Sequence, residues 1–242
     1  GRLRDNRILD IENVQVIDFK GAHYPREVIL YAVFFYVRYG VSYRDLEEIM
    51  AERGVLVDHA TLNRWVVRYS PLIAAEAKKR KQSVAGSWRM DETYIKVKGK
   101  WTYLYRAIDK YGSTVDFMLS EHRDEAAATA FFKQAIDHNE WPSKVVIDKS
   151  GANNAGLENI NILVFLAGLL CFIDRLKVKY LNNIVEQDHR FIKKITKPMM
   201  GFKAFHSASA TLAGIETAHM IRKGQFTNNQ LPAHQQFMAL AV

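Results

Sequence analysis

Three carboxylates occupy positions from which chemistry could be done. Asp91 lies in WRMDETYIKV, Asp148 in KVVIDKSGAN and Glu186 in NIVEQDHRFIKKI. Carboxylate oxygens are hard ligands suited to Mg²⁺. Divalent ions held by a few of them can activate an oxygen nucleophile and stabilise a leaving oxygen in phosphodiester transfer. Each residue also has a plainer role open to it. An aspartate at a strand end often forms a turn or caps a helix, and a glutamate on a charged helix face pairs with Lys or Arg one turn away. The carboxylates by themselves leave both readings open.

The elements that must position them are legible from periodicity. Residues 88–97 alternate, with Asp91, Thr93, Ile95 and Val97 on one face of a strand. Lys98-Gly99-Lys100 predicts a hairpin turn, 101–108 a second strand, Asp109 to Gly112 another turn and 114–119 a third strand. A helix over about 124–138 follows, then a short apolar strand, 144–147, that stops at Asp148. Carboxyl ends of strands are the usual place for chemistry in open α/β sheets. Residues 183–195 predict a helix capped by Asn182 or Asn183, with Ile184, Phe191 and Ile195 as its inner stripe, helped by Val185 and Ile192. Glu186, Arg190, Lys193 and Lys197 share another face, which reads either as solvated ion pairs or as a metal-binding glutamate beside a track for phosphates.

Upstream, 26–39 is apolar nearly all round and predicts a buried helix. Ser42 is placed to cap a second helix and Asp58 a third, in which Leu62, Trp65, Val66 and Tyr69 form the inner stripe. Its other face offers His59, Thr61, Asn63, Arg64 and Arg68. Three short helices with a glycine turn before the third fit a helix-turn-helix, and these side chains suit phosphates and base edges. A three-helix packing with a solvated face is the alternative.

The 242 residues carry 34 Lys and Arg against 26 Asp and Glu, a net charge of +8. The excess is +4 in residues 1–90, zero in 91–181 and +4 in 182–242, so two basic ends bracket a neutral middle that holds Asp91 and Asp148. Such a balance favours an anionic partner, nucleic acid first. The single cysteine, Cys171, excludes an internal disulfide and a zinc site built on several thiolates. The apolar run 162–173 is too short for a bilayer span, which needs roughly 20 residues, and reads as a buried helix or strand. With no secretory signal pattern at the N-terminus, the expected location is cytoplasmic.

The order of motifs resembles a known family. A helix-turn-helix precedes MDETY around Asp91, IDKSGAN around Asp148 and KYLNNIVEQDHRFIKK around Glu186, and MGFKAFHSASATLAGIETAHMIRKGQ closes the pattern. This is similar to bacterial insertion-sequence transposases of the IS-six family, over residues 19–225. The resemblance implies an α/β, ribonuclease-H-like catalytic core (a mixed sheet flanked by helices) preceded by an all-α helix-turn-helix module. The divisions expected are a 1–18 extension outside the domain, a 19–70 DNA-binding domain, a 71–87 linker, an 88–225 catalytic domain and a 226–242 tail.

It further implies Asp91, Asp148 and Glu186 as the catalytic, metal-binding triad, with two Mg²⁺ ions that Mn²⁺ could replace. The partners implied are DNA, as terminal inverted repeats and target, and further copies of the chain as a homo-oligomer on that DNA. The chemistry implied is hydrolysis at the element's end, attack of the freed 3′-hydroxyl on target DNA, and replicative transposition through cointegrates. Residues 1–18 precede the usual start of the family, and the 37 residues between Asp148 and Glu186 exceed its usual gap by a few. Two competing readings are a non-catalytic, repressor-like DNA-binding relative and a nuclease that hydrolyses without joining. His189 could assist near the metals or simply pack. Asp109, Asp116 and Asp188 rank below the three motif carboxylates.

Overall fold

The computed structural model describes residues 17–20, 22–147, 151–166, 172–176 and 183–241. Asp148, Lys149, Cys171 and Asn182 lie outside the described residues.

The N-terminal helices are α1 (Arg26–Arg38), α2 (Tyr43–Glu52) and α3 (His59–Arg80). Their starts are encoded as expected. Ser42 and Asp45 form a reciprocal capping box on α2, and the Asp58 carboxylate accepts from the Ala60 and Thr61 backbone N–H groups at the start of α3. Those hydrogen bonds, with one from the Thr61 hydroxyl, hold the exposed Asp58 carboxyl below its ordinary pKa.

The expected linker over 71–87 is largely helix. Helix α3 continues through Pro71 to Arg80. Pro71 sits on the exposed side, while Ile73, Ala74 and Ala77 stay buried on the other and hold the helix together past the missing N–H. The basic run at its end is tied inward. Lys78 pairs with Asp116 at 2.6 Å, Lys79 with Glu76 at 2.8 Å, and the Lys81 ammonium donates to the Val115 carbonyl. Burial, the larger influence, lowers Lys81 to about 8.

The sheet comprises β1 (Ser87–Val97), β2 (Lys100–Asp109), β3 (Thr114–Ser120), β4 (Lys144–Val146) and β5 (Asp174–Leu176), in the order β3-β2-β1-β4-β5. The β1–β2 and β2–β3 pairs are antiparallel, while β4 and β5 add in parallel beyond β1. Lys98 and Gly99, at φ 49° and 78°, make the tight β1–β2 turn, where both central positions need positive φ. Helices α4 (Glu125–Asp137) and α5 (Gly151–Leu166) cover one face; α6 (Asn183–Thr196) and α7 (Phe205–Arg222) lie on the other side. An antiparallel three-stranded meander extended in parallel, with helices on both faces, is the ribonuclease-H-like arrangement.

Alternation along β1 splits its side chains between two cores. Trp88 and Met90 pack with Phe131, Phe132 and Leu157 under α4 and α5. Ile95 and Val97 pack with Leu212 and Ile215 of α7, in a core that also contains α1 and α3. The three N-terminal helices therefore share one core with this face of the sheet. At Gly214 of α7, an added Cβ would lie 2.6 Å from Val37 and 2.8 Å from the Ser70 hydroxyl, so a side chain there would force the three helices apart. The expected 226–242 tail contains α8 (Ala233–Ala239), whose Phe237 is buried in the same core, as is Ile17 of the expected 1–18 extension.

The apolar run beginning at Ile162 is not buried where it is described. Ile162, Leu163, Phe165, Leu166 and Phe172 are all more than half exposed. The buried side of α5 is supplied by Leu157 and Ile160, nearer its start, against α4.

Candidate active site and DNA-facing surfaces

Asp91 is brought to the site by the alternation of β1, on the face of Ile95 and Val97. Among the described residues, β4 pairs with β1 at Ser87 to Arg89, and Phe202 bridges to β1 again at Val97. Helix α6 contacts β1 between them. A cleft of about 550 Å³ opens there, lined by Asp91 to Tyr94 on one side and by Asn183, Glu186, Gln187, His189, Arg190 and Lys193 on the other. Asp91 and Glu186, 95 positions apart in the sequence, thus face one cavity.

Helix α6 is amphipathic, but its buried stripe is Val185, His189, Ile192 and Ile195; Ile184 is 43% exposed. The difference from the expected stripe is a rotation that turns His189 inward. Its Nδ1 lies 3.7 Å from the Asp91 carboxylate, and its buried Nε2 has no hydrogen-bond partner among the described residues. Burial, reinforced by the charge of Arg106, lowers His189 to about 3, so the ring is neutral near pH 7. The same rotation leaves Glu186, Arg190 and Lys193 exposed along one face of α6, as their spacing predicts, and Lys197, also exposed, begins the 3-10 turn that follows.

A buried charge network fixes that rotation. Arg106 faces Asp91 across the β1–β2 ladder. Its guanidinium donates to both oxygens of Glu216 on α7, at 2.5 and 3.0 Å, and to Asp188 on α6 at 2.7 Å. Asp188 also accepts from His219 at 2.6 Å and Lys223 at 2.8 Å. Burial alone would raise the Asp188 carboxyl; the His219 hydrogen bond and the Arg106 and Lys223 charges hold it well below the usual range. Burial likewise opposes the Arg106 charge, but Glu216 and Asp188 secure it. Asp188 is thus a tether between α6, the sheet and α7.

Asp148, the expected third carboxylate, lies outside the described residues. Among the described residues there is no group of three His, Cys, Asp or Glu placed to hold a metal. The donor set that is described suits a hard cation, since Asp91 and Glu186 offer oxygens to one cavity and Arg190 and Lys193 would meet an anionic substrate. Glu92, buried and with Oε2 unpartnered among the described residues, lines the same cleft, and no sequence motif singles it out. Strict alternation sends it to the face opposite Asp91, where its Oε1 meets Arg123 at 3.4 Å, and it lines the cleft from the strand edge. Arg106, Glu216, His219 and Lys223 were equally invisible, because no local motif marks a long-range ion pair.

Along α3, Thr61, Asn63, Arg64 and Arg68 line a groove of about 1020 Å³ that includes Tyr24 and His206. His59 and Asn63 line a neighbouring one with Arg44, Lys203 and His206. Several of these side chains are braced. The Arg64 guanidinium donates to the Thr61 hydroxyl at 2.5 Å, that hydroxyl donates to Asp58 at 2.6 Å, and His59 pairs with Glu47 at 2.9 Å. Arg68 donates to the Asp18 carbonyl at 3.3 Å. Lys197 borders a further cavity, with Lys193.

Comparison with known proteins adds the family. A protein family described as a DDE domain matches residues 85–225. A transposase for the insertion sequence-like element IS431mec of Staphylococcus aureus is 40% identical over 92% of this chain and 98% of its own length. The transposase of insertion sequence element IS257 in transposon Tn4003, also from S. aureus, is 39% identical over the same shares. Among solved structures, the HTLV-2 integrase catalytic core domain in complex with magnesium is similar over 57% of this chain and 88% of that one, at TM-score 0.42 and 16% identity. The BIV integrase catalytic core domain is similar over 55% and 82%, at TM-score 0.41 and 17% identity. The match over 85–225 and the near full-length identity to the staphylococcal proteins place this chain in the IS-six family of insertion-sequence DDE transposases, polynucleotidyl transferases by activity.

Proposed function

We propose that the chain binds the terminal inverted repeats of its element through the exposed face of α3 and cuts and joins DNA at the β1–α6 cleft. The observation that carries this is the convergence of Asp91 and Glu186 on one cavity beside an exposed basic row. Asp91, Glu186 and Asp148 would hold two Mg²⁺ ions, or Mn²⁺ in their place. When bound, such ions supply Lewis-acid activation of the attacking oxygen and stabilise charge on the leaving one. Arg190, Lys193 and Lys197 lie along one exposed face and would grip the phosphate backbone on either side of the scissile bond. The neutral His189 ring packs behind Asp91 and restricts its rotamers without adding charge. His59, Thr61, Asn63, Arg64 and Arg68 would read or grip the repeat, with the Asp58–Thr61–Arg64 chain of hydrogen bonds presetting the arginine. Joining both ends of an element in one reaction calls for more than one copy of the chain on DNA. A DNA substrate places this work in the bacterial cytoplasm, at the nucleoid.

Strand transfer on terminal-repeat DNA tests the assignment. Asp91→Asn, Asp148→Asn and Glu186→Gln should each reduce cleavage and joining by at least a thousandfold while binding of the repeat stays within a few-fold of the parent. Full activity in any one of them removes that residue from the triad. Cleavage without joined products in the parent protein would favour a nuclease.

A further inference from the structure

We infer that Tyr94 and Trp101, at the tip of the β1–β2 hairpin, form a stacking platform for unpaired nucleobases of the DNA strand that runs through the carboxylate cleft. The inference rests on the proposed DNA chemistry of that cleft and adds to it a second binding site and the conformation of its ligand.

The β1–β2 ladder carries aromatic residues on one face, and their exposure rises towards the turn. Tyr105 is fully buried and stacks with Phe131 of α4 at 5.8 Å. Tyr103, two residues nearer the tip, is half-buried, and Tyr94 and Trp101 are 47% and 60% exposed. Tyr94 meets Trp101 edge-to-face at 6.2 Å and Tyr103 at 5.5 Å. Lys96, the cross-strand partner of Trp101, holds its ammonium 5.9 Å from the indole centre. Aromatic residues suit a strand and pair well across it, but that alone does not require the largest side chain to stand 60% exposed.

The position of the platform says what it meets. A cavity of about 760 Å³ is lined by Tyr94, Lys96, Trp101, Lys193, Lys197 and Met200, among others. Tyr94 and Lys193 also line the cleft of Asp91 and Glu186, so the two cavities adjoin. A strand passing the carboxylates would follow the lysines to the two rings. Exposed aromatic rings flanked by cations bind single-stranded nucleic acid, because every base has a face to stack and every nucleotide a phosphate to pair. A paired base inside a duplex has no free face, so the ligand must be unpaired. The platform would therefore help to hold open the last base pairs beside the scissile bond.

The test uses the full chain without divalent metal and a labelled oligothymidylate of about eight nucleotides, read by fluorescence anisotropy. Trp101→Ala should weaken its binding about tenfold, Trp101→Phe should stay close to the parent, and affinity for fully paired terminal-repeat DNA should change less than twofold. Should Trp101→Ala fail to fold, Trp101→Thr, with a strand-favouring residue, carries the same comparison. With metal present, Trp101→Ala should cut a fully paired end more slowly, and mismatches at the last two pairs should restore the rate. Parent-like binding of the oligothymidylate by Trp101→Ala, in a protein that cuts and joins terminal-repeat DNA, overturns the inference. So does a change in association state by light scattering with single-strand affinity unchanged, which would make the face a protein interface. A parent that neither cuts nor joins, yet loses single-strand affinity on Trp101→Ala, would refute the cleft chemistry and leave the platform standing.

Discussion

Replacing Arg106 by Met tests whether the buried network fixes helix α6 against the sheet. The guanidinium is 1% exposed and makes three hydrogen bonds, two to Glu216, whose side chain is fully buried, and one to Asp188. Removing it leaves Asp188 with Lys223 and His219, but takes from Glu216 its bidentate partner. Breaking a buried pair from one side costs roughly 3–5 kcal/mol, mostly from the stranded charge. For a chain of this size that corresponds to a fall in Tm of roughly 6–20 °C. The fully buried Glu216 carboxylate is then left without a countercharge. Converting it as well, in Arg106→Met/Glu216→Gln, should therefore recover about half or more of the loss, although neither substitution restores a contact. Thermal unfolding by circular dichroism, run as a double-mutant cycle, reads this directly. A loss below about 1 kcal/mol in the single variant, or a double variant no more stable than the single, would refute the argument that this network carries a stranded-charge penalty.

Other consequences are checked more simply. Gly214→Val places atoms within 3 Å of Val37 and Ser70, and should destabilise by roughly 1–3 kcal/mol or more in chemical denaturation. Asp116, which pairs with Lys78 and His138 and accepts from Gln134, titrates below the ordinary aspartate range because those contacts outweigh its burial. A carboxyl depressed on folding contributes stability above its unfolded pKa of about 3.9 and loses it as pH falls through the folded value. Asp116→Asn should therefore lower stability near pH 7 and flatten its decline below about pH 4, as followed by denaturation at stepped pH. Arg64→Ala should relax selectivity among terminal-repeat sequences if the guanidinium meets a base, and weaken all sequences alike, with a shallower salt dependence, if it meets phosphate. Competition binding at two salt concentrations separates the two, and no change in either would take α3 out of the groove.

Local chemistry alone determined much of this protein. The caps at Ser42 and Asp58, the Lys98-Gly99 turn, the alternation that aims Asp91 with Ile95 and Val97, and the helical spacing of Glu186, Arg190, Lys193 and Lys197 are all short-range, and the structure realises each. Motif order was enough to point to the family. Tertiary structure decided what depends on partners far away in the chain. Helix α3 could continue through Pro71 because buried residues on its other side hold it. Helix α6 turns His189 inward because Arg106, His219 and Lys223 fix Asp188, and Glu92 lines the cleft because α6 packs beside the edge of β1. The described residues of the hydrophobic run from Ile162 stay exposed because Leu157 and Ile160 already fill the contact with α4. Periodicity reports which side of an element is apolar, whereas which side is covered depends on what packs against it, and that is a property of the assembled chain.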